Sequence, residues 1–453
     1  MVEEGALAPV SKPRKAACLS QRGPLVVDNQ LCTNQLCAPG PDGTYRFDVT
    51  GQTGAPAWEH ARVRVLVSTT AGAGHFGPVI PVARACAAAG HEVVVAAPRS
   101  FAAQVEGAGF RHRPFADVPA EVMGPIFGRL PQLSFEEANE VVVTEIFGRH
   151  DARAALPGLV EIIDQWRPDL VLREPCEFGS LVAATAAGVP QVEVAIGMTE
   201  TIARMRDLLT DPLAELDAMA GLPTGSAAAA MSSTQTISSV PSVLDDARDG
   251  GAGGTNDVHR FGDPTLTSDS PSLPDAWGDP SHPLVYVTFG SVAAGLPSFA
   301  RIYPDAVASF AGHPVRVLLT TGSGVDPADL GALPSNVRVE RWWPQPEVMP
   351  HCAAMVGHGG FGTTMAALAA GVPQVVVPLF AFDQRVNAAH VAAAGAGIDL
   401  EGGPECVPGV ADAVVRLMRD PSYRRAAESV ASEMAALPPV ADAVTLLERI
   451  AEP

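Results

Sequence analysis

The chain has 453 residues, which is enough for two domains of ordinary size. It carries 50 acidic against 30 basic residues, a net charge of −20, and this acidity argues against nucleic acid or an anionic membrane as the main partner. The seven cysteines are scattered without CxxC or other metal-binding spacing, which favours a reduced, cytoplasmic compartment over a disulfide framework.

The N-terminal segment, residues 1–60, shows no sustained hydrophobic periodicity, and we expect a poorly ordered extension there. The opening Met-Val-Glu-Glu lacks the basic and apolar regions of a secretory signal. The chain also lacks a run of about 18 uninterrupted apolar residues, so no membrane-spanning helix is expected.

A first domain is predicted over residues 61–244, where strand and helix patterns alternate. Residues 62–67 form a β-branched run typical of a buried parallel strand, and the Gly-rich loop 68–78 follows it. A helix over 79–89 and a strand over 92–97 complete a Rossmann-type unit. Further strands are predicted over 169–172, 191–196 and 236–240, and further helices over 100–109, 152–166 and 178–187.

Residues 245–283 are rich in Asp, Gly, Pro and Ser, which predicts a linker. A second domain is predicted over 284–453, because the strand and helix alternation restarts there. Its last helix, near 439–450, is a candidate to pack back on the first domain. The predicted fold class is α/β, with two Rossmann-like, doubly wound domains that face each other across a cleft.

The most informative stretch is 341–387. It contains a Trp-x-Pro-Gln corner, a short apolar strand, a Gly-rich turn entered by His358, and a helix, and a second strand then leads to an Asp-Gln pair. A helix N-terminus offers free N–H groups and about half a positive charge, and glycines let phosphates approach the backbone. The pattern therefore indicates a nucleotide diphosphate site with a sugar beyond it.

Several spaced motifs resemble the UDP-glycosyltransferase family, which has the GT-B fold, and especially bacterial antibiotic and macrolide glycosyltransferases. The resemblance covers roughly residues 62–440. Its motifs are Gly74-His75-x-x-Pro78, Val285-Tyr-Val-Thr-Phe-Gly-Ser291, Trp342-x-Pro-Gln345, His358-Gly-Gly-Phe-Gly-Thr-Thr364, Gly371-Val-Pro373 and Asp383-Gln384-x-x-Asn387.

The resemblance implies roles for ten donor-site residues. Trp342 would stack on the nucleobase, with Trp343 as the alternative, and Gln345 would bond the base or ribose. Asp383 and Gln384 would hold the sugar, although an Asp at that point is also a common helix N-cap. The residues implied for the diphosphate are Gly290, Ser291, His358, Gly360, Gly362 and Thr363.

The resemblance also makes His75 the catalytic base and Glu174 its orienting partner. A histidine with a pKa near 6.5 accepts a proton at neutral pH, and a carboxylate on its other nitrogen fixes it. Relatives usually have Asp where this chain has Glu174, and Arg173 is an alternative partner for that carboxylate. An acceptor pocket could be walled by Phe76, Met123, Phe127, Phe147 and Met198, for which plain core packing is equally expected.

The sequence thus predicts an inverting glycosyltransferase that moves a sugar from a UDP- or dTDP-sugar to a hydroxyl of a hydrophobic small molecule such as a polyketide, sterol or phenolic. No cofactor besides the donor is expected. No Asp-x-Asp triplet occurs, so no metal is expected on the diphosphate. The alternatives are a glycolipid or cell-wall precursor transferase of the same fold, and a catalytically silent nucleotide-sugar binder.

Overall fold

A computed structural model describes residues 62–245 and 258–452, and these form two parallel β-sheets covered by helices. The extension predicted over 1–60 lies outside the described residues. In the described part of the chain, no helix is both long and apolar enough to cross a bilayer.

The first sheet has seven parallel strands among the described residues, in the order β3-β2-β1-β4-β5-β6-β7. Its central strands are buried on both faces because helices cover both sides, which explains their continuous apolar runs. The strands are β1 (Arg64–Ser68), β2 (Glu92–Pro98), β3 (Arg111–Phe115), β4 (Leu170–Arg173), β5 (Gln191–Val194), β6 (Gln235–Ser238) and β7 (Val258–Arg260).

The helices of this domain connect successive parallel strands, as the right-handed crossover of a doubly wound sheet requires. They are α1 (Ala73–Phe76), α2 (Val79–Ala88), α3 (Ala102–Gly107), α4 (Ala120–Arg129), α5 (Phe135–Val141), a π-helix (Val142–Asp151), α6 (Ala152–Trp166), α7 (Phe178–Ala187), α8 (Thr199–Asp207), α9 (Thr210–Met219) and α10 (Ser226–Ser233).

The second sheet repeats this architecture with six parallel strands in the order β10-β9-β8-β11-β12-β13, again among the described residues. Its strands are β8 (Leu284–Thr288), β9 (Arg316–Thr320), β10 (Val337–Glu340), β11 (Cys352–Gly357), β12 (Gln374–Val376) and β13 (Gly397–Asp399). Its helices are α11 (Ile302–Ser309), α12 (Gln345–Val348), α13 (Phe361–Ala369), α14 (Phe382–Ala393), α15 (Val410–Arg419), α16 (Pro421–Ala435) and α17 (Ala443–Ala451).

Two features of the chain differ from the sequence prediction. The segment predicted as linker contains β7, which pairs with β6 and so extends the first sheet beyond residue 244. Residues 116–151, for which no element was predicted, contain α4, α5 and the π-helix.

The last helix, α17, belongs to the first domain in space. Val444, Leu446 and Leu447 are buried in the same apolar cluster as β1, β2 and α2. His91 Nε2, just after α2, lies 3.2 Å from Glu448 Oε1. The chain therefore crosses from the second domain back to the first before it ends.

Candidate active site

A cavity of about 1930 Å³ lies between the carboxyl ends of the two sheets. The strand order reverses between β1 and β4 in the first sheet and between β8 and β11 in the second. Loops that leave neighbouring strands at such a switch point diverge, and open α/β sheets bind ligands there. Residues that follow β1 and β4 line the cavity from the first domain, and residues that follow β8 and β11 line it from the second.

His75 and Glu174 meet at the first switch point. Ser68 at the end of β1 lies beside Arg173 at the end of β4, so the segments after them start side by side. His75 lies in the short helix α1 rather than in an open loop, and its Nδ1 is 3.2 Å from Glu174 Oε2. The alignment is loose, and catalytic hydrogen bonds commonly tighten when substrate binds. The imidazole is 24% exposed and lines the cavity, and its Nδ1, the atom on the side of Glu174, is buried.

Glu174 is buried and held by several donors. Its Oε1 accepts hydrogen bonds from the Thr70 N–H at 3.1 Å and the Thr70 hydroxyl at 3.0 Å, and its Oε2 accepts one from the Cys176 N–H at 2.7 Å. Arg173 pairs instead with Glu193 at 3.0 Å. The longer glutamate side chain is therefore accommodated, and the arginine does not compete for it.

The charges of the pair shift both pKa values. Burial lowers the pKa of His75, but the carboxylates of Glu174, Asp383 and Asp151 together outweigh it, and the pKa lies above its usual 6.5. Burial raises the pKa of Glu174, but His75 and the N–H donors outweigh it, and the pKa lies below 4.5. Glu174 is therefore ionised at neutral pH, and His75 is a stronger base than a free histidine.

The π-helix brings two further side chains to this pair. The Phe147 ring lies 5.3 Å from the His75 ring, centroid to centroid. Asp151, four residues further on, also lines the cavity, and burial together with Glu174 and Glu177 raises its pKa to about 7. Among the described residues its carboxylate has no hydrogen-bond or ion-pair partner. Sequence reasoning missed Asp151, because an isolated Asp carries no motif.

At the second switch point, helix α13 presents its N-terminus to the cavity. Gly360 is its N-cap and no side chain caps it, so its first N–H groups lack intrahelical partners. Gly362 and Thr363 lie in the first turn, and the Thr363 hydroxyl accepts a hydrogen bond of 3.0 Å from Gln345 Nε2. Gly360, Gly362, Thr363 and Gln345 all line the cavity, as an anion site at a helix N-terminus requires.

His358 packs between two glycines at the entrance to this helix. A Cβ on Gly290 would lie 2.6 Å from the imidazole and a Cβ on Gly360 would lie 2.5 Å from it, so both positions need glycine. Gly290 also has a φ of +76°. Burial lowers the pKa of His358 to about 4, and its buried Nδ1 has no partner in the described part of the chain. Ser291 beside it is exposed and lines the same wall.

The two tryptophans of the Trp-x-Pro-Gln corner have different environments. Trp342 is 71% exposed and lines the cavity. Trp343 also lines the cavity, but it is half-buried, packs beside the core, and donates a hydrogen bond of 3.2 Å from Nε1 to the Ser272 carbonyl. Of the two, Trp342 therefore has the ring that is free to stack on a base.

The Asp-Gln pair has only partly the geometry expected. Asp383 lies in the first turn of α14, whose N-cap is Ala381, so the alternative of an Asp N-cap is wrong. Burial raises the pKa of Asp383, although His75 opposes the shift. The Gln384 Oε1 accepts hydrogen bonds from the N–H groups of Leu379 and Phe380 at 2.8 and 3.1 Å. Only its Nε2 is left for a sugar hydroxyl.

Three side chains near the base carry metal-ligating atoms within 4.8 Å of one another: His75, Glu174 and Cys176. Two of them already contact each other as the histidine–carboxylate pair. Burial, and then Glu174, raise the pKa of the Cys176 thiol well above its usual value. The thiolate that metals prefer is therefore disfavoured.

Comparison with known proteins supplies the family. The model described as "Erythromycin biosynthesis protein CIII-like, N-terminal domain" matches residues 84–250, and that of the corresponding C-terminal domain matches residues 306–450. The elloramycin glycosyltransferase of Streptomyces olivaceus is 34% identical over 85% of this chain and 97% of its own. The chain belongs to the erythromycin biosynthesis protein CIII-like family of glycosyltransferases.

Other proteins similar to this glycosyltransferase are also sugar transferases. The L-demethylnoviosyl transferase of Streptomyces niveus is 33% identical over 83% of this chain and 95% of its own. The solved structure of the glycosyltransferase VinC in complex with DTDP superposes with a TM-score of 0.68 at 27% identity, over 86% of this chain and 99% of that one. The fold class and the enzyme class predicted from sequence are thus confirmed.

The residues predicted for an acceptor wall of the glycosyltransferase divide between the cavity and the core. Met123, Phe127 and Phe147 line the cavity as expected. Phe76 does not, because its ring packs edge-on against Phe101 and Phe110 in the first-domain core. Met198 is fully buried in the cluster between the domains. For both residues the prediction of a wall position is wrong, and core packing is the outcome.

Proposed function

We propose that this glycosyltransferase transfers a sugar from a TDP-sugar to a hydroxyl of a hydrophobic small molecule, with inversion at the anomeric carbon. One observation carries the proposal: His75, which is paired with the buried Glu174, and the N-terminus of α13 line the same cavity. A base and an anion site so arranged suit attack on a carbon that bears a diphosphate.

The first step is proton removal from the acceptor. His75 Nε2 takes the proton of the acceptor hydroxyl, and Glu174 at Nδ1 stabilises the imidazolium that forms. The acceptor oxygen forms a bond to the anomeric carbon while the bond from that carbon to the phosphate oxygen breaks. Attack from the face opposite the leaving group inverts the configuration.

The leaving diphosphate needs charge stabilisation, which the second domain can supply. The free N–H groups at the start of α13, the Thr363 hydroxyl and a His358 N–H would bind it, with Ser291 at the edge. His358 is neutral at pH 7 and so acts as a hydrogen-bond donor rather than a fixed charge. We propose that this donor set replaces a metal ion.

Thymidine is proposed as the nucleoside because the VinC structure contains DTDP. Trp342 would stack on the base, and Asp383 with the Gln384 Nε2 would bind sugar hydroxyls. The apolar wall of Met123, Phe127 and Phe147 supports a hydrophobic acceptor. The proposed class includes polyketide and phenolic aglycones, and the family match to an erythromycin biosynthesis protein supports it.

The test is direct. The protein is incubated with TDP-glucose or UDP-glucose and a panel of hydrophobic hydroxylated acceptors, with and without EDTA, and the product is analysed by mass spectrometry and by the anomeric coupling in NMR. We expect turnover with TDP-glucose, a β-linked product from the α-linked donor, and no loss with EDTA. A retained configuration, or loss of turnover with EDTA, would contradict the proposed mechanism.

A further inference from the structure

The side-chain amide of Asn139 joins the two domains next to Asp383, the residue proposed to bind the donor sugar. Asn139 lies on α5 of the first domain, and its Oδ1 accepts a hydrogen bond of 2.7 Å from the Phe382 N–H. Its Nδ2 donates to the Phe380 carbonyl at 3.2 Å and to the Phe135 carbonyl of its own helix at 2.8 Å. All of its hydrogen-bonding capacity except one oxygen lone pair is therefore used.

The backbone that Asn139 holds leads directly into Asp383. It connects β12 to α14, and Gln384 binds the same loop from inside the second domain, through the N–H groups of Leu379 and Phe380. Two amide side chains, one from each domain, thus fix adjacent parts of one short loop. Among the described residues, Asn139 makes the only side-chain hydrogen bonds from the first domain to this loop, and Arg204 of the same domain lies over the Phe382 ring at 4.5 Å.

The neighbouring contacts across this interface are weaker. Arg385 pairs with Glu136 at 3.3 Å and stacks over the Phe135 ring, but both charged side chains are largely exposed. Exposed ion pairs contribute little, because water and salt screen them. Asn139 is half-buried and bonds to backbone atoms, so its geometry is better defined.

The position of Asp383 has a direct electrostatic consequence at the base. The negative charge of Asp383 raises the pKa of His75 from across the cavity, after the larger effects of burial and Glu174, and Asp151 acts in the same direction. Because Asp383 lies in the first turn of α14, directly after this loop, its position relative to His75 depends on how the loop is held.

We propose that Asn139 is a positioning residue for glycosyl transfer: by holding the backbone at Phe380 and Phe382, it fixes Asp383, and with it the donor sugar, opposite His75. This inference rests on the proposed function, in which Asp383 binds the donor sugar. It makes a residue of the acceptor domain responsible for the placement of the sugar, while the nucleotide is held by the second domain alone.

The test compares Asn139→Ala and Asn139→Ser with Glu136→Gln, which removes an exposed charge on the same helix. Without any nucleotide, the His75 pKa is measured by NMR, with its signal assigned by its loss in a His75→Gln variant, and hydrogen exchange is followed at the Phe382 amide. We expect both Asn139 variants to lower the His75 pKa and to speed exchange at Phe382, while Glu136→Gln changes neither.

The kinetic arm measures transfer from TDP-glucose and the affinity for TDP. Loss of two hydrogen bonds should lower kcat/KM about 5- to 30-fold in the Asn139 variants, with TDP affinity within about twofold of wild type. An unchanged His75 pKa, or an equal loss of TDP affinity and kcat/KM, would overturn the inference. Failure of wild-type protein to transfer or hydrolyse any nucleotide sugar would instead overturn the proposed function, since the NMR and exchange measurements require no donor.

Discussion

At the scale of single residues, the site depends on pairs in which one side chain sets the chemistry of the other. Glu174 makes His75 a stronger base, and the missing Cβ atoms of Gly290 and Gly360 leave room for His358. His75 and Glu174, like Gly290 and His358, are distant in sequence, and the strand register brings them together.

Asp151 provides a test of the electrostatics around the base. Its carboxylate, with a pKa of about 7, helps to raise the pKa of His75. Transfer requires neutral His75, so the rate rises with pH through the His75 pKa. Asp151→Asn removes one negative charge, and we expect the acidic limb of the kcat/KM profile to move to lower pH. Glu161→Gln, on an exposed part of the following helix, is the control; equal profiles for all three proteins would contradict the expectation.

The sequence located the polar residues around the cavity better than the apolar ones, for a physical reason. His75 and the Gly-rich turn belong to spaced motifs whose chemistry needs particular atoms. Phe76 and Met198 were assigned to the acceptor wall wrongly, because an apolar side chain carries no signal that separates a cavity wall from a core. The hydrogen bond from the Leu379 N–H to Gln384 Oε1 likewise could not be predicted from the sequence, because it depends on the path of the backbone.

At the scale of secondary structure, the β-strands bring the candidate site residues together, and helix α13 presents its N-terminus to the cavity. Sequence located the central strands well, because their continuous apolar runs are buried on both faces. It missed β3, whose Arg-His-Arg start lacks an apolar pattern because this strand is at the sheet edge. It also missed α10, where small residues gave no helical periodicity.

The N-terminus of α13 can be probed with two glycines two residues apart. Gly360→Ala places a Cβ 2.5 Å from the His358 ring, whereas a Cβ on Gly362 has no protein atom within 4 Å. We expect Gly360→Ala to displace His358, lower the melting temperature and weaken TDP binding about tenfold or more. Gly362→Ala should keep or raise the melting temperature, because alanine favours a helix by about 1 kcal/mol.

The comparison of these variants also locates the diphosphate. Weakened TDP binding by Gly362→Ala without loss of stability would indicate that phosphate approaches the backbone at this turn. Calorimetric titration with TDP provides the affinities, and thermal denaturation provides the stabilities. Gly360→Ala protein with wild-type TDP affinity and stability would contradict the packing argument.

At the scale of the whole molecule, contacts at several places join the two domains in the described part of the chain. The loop before Asp383 meets α5, His390 Nδ1 lies 2.7 Å from the Leu244 carbonyl, and α17 packs on the first-domain core. The two-domain plan followed from the repeated strand and helix alternation. The inclusion of β7 in the first sheet could not be predicted in this way, because a three-residue strand beside a Gly-rich segment has no sequence signature.

The packing of α17 on the first domain should contribute measurably to the free energy of unfolding. Leu447 is buried in the first-domain cluster, whereas Thr445 on the same helix is exposed. Leu447→Ala should lower the free energy of unfolding by about 2–5 kcal/mol, as large-to-small core changes do. Thr445→Ala should change it by less than about 0.5 kcal/mol. Chemical denaturation measures both, and equal stabilities would show that the helix does not stabilise the first domain.

The central claim is that His75 removes the acceptor proton while the second domain holds the diphosphate. The most direct test measures kcat for transfer from TDP-glucose, and TDP affinity, on the same preparations of wild-type and His75→Ala protein. We predict that kcat falls about 10²- to 10⁴-fold while TDP affinity stays within about twofold. A His75→Ala enzyme that transfers sugar at the wild-type rate would contradict the account.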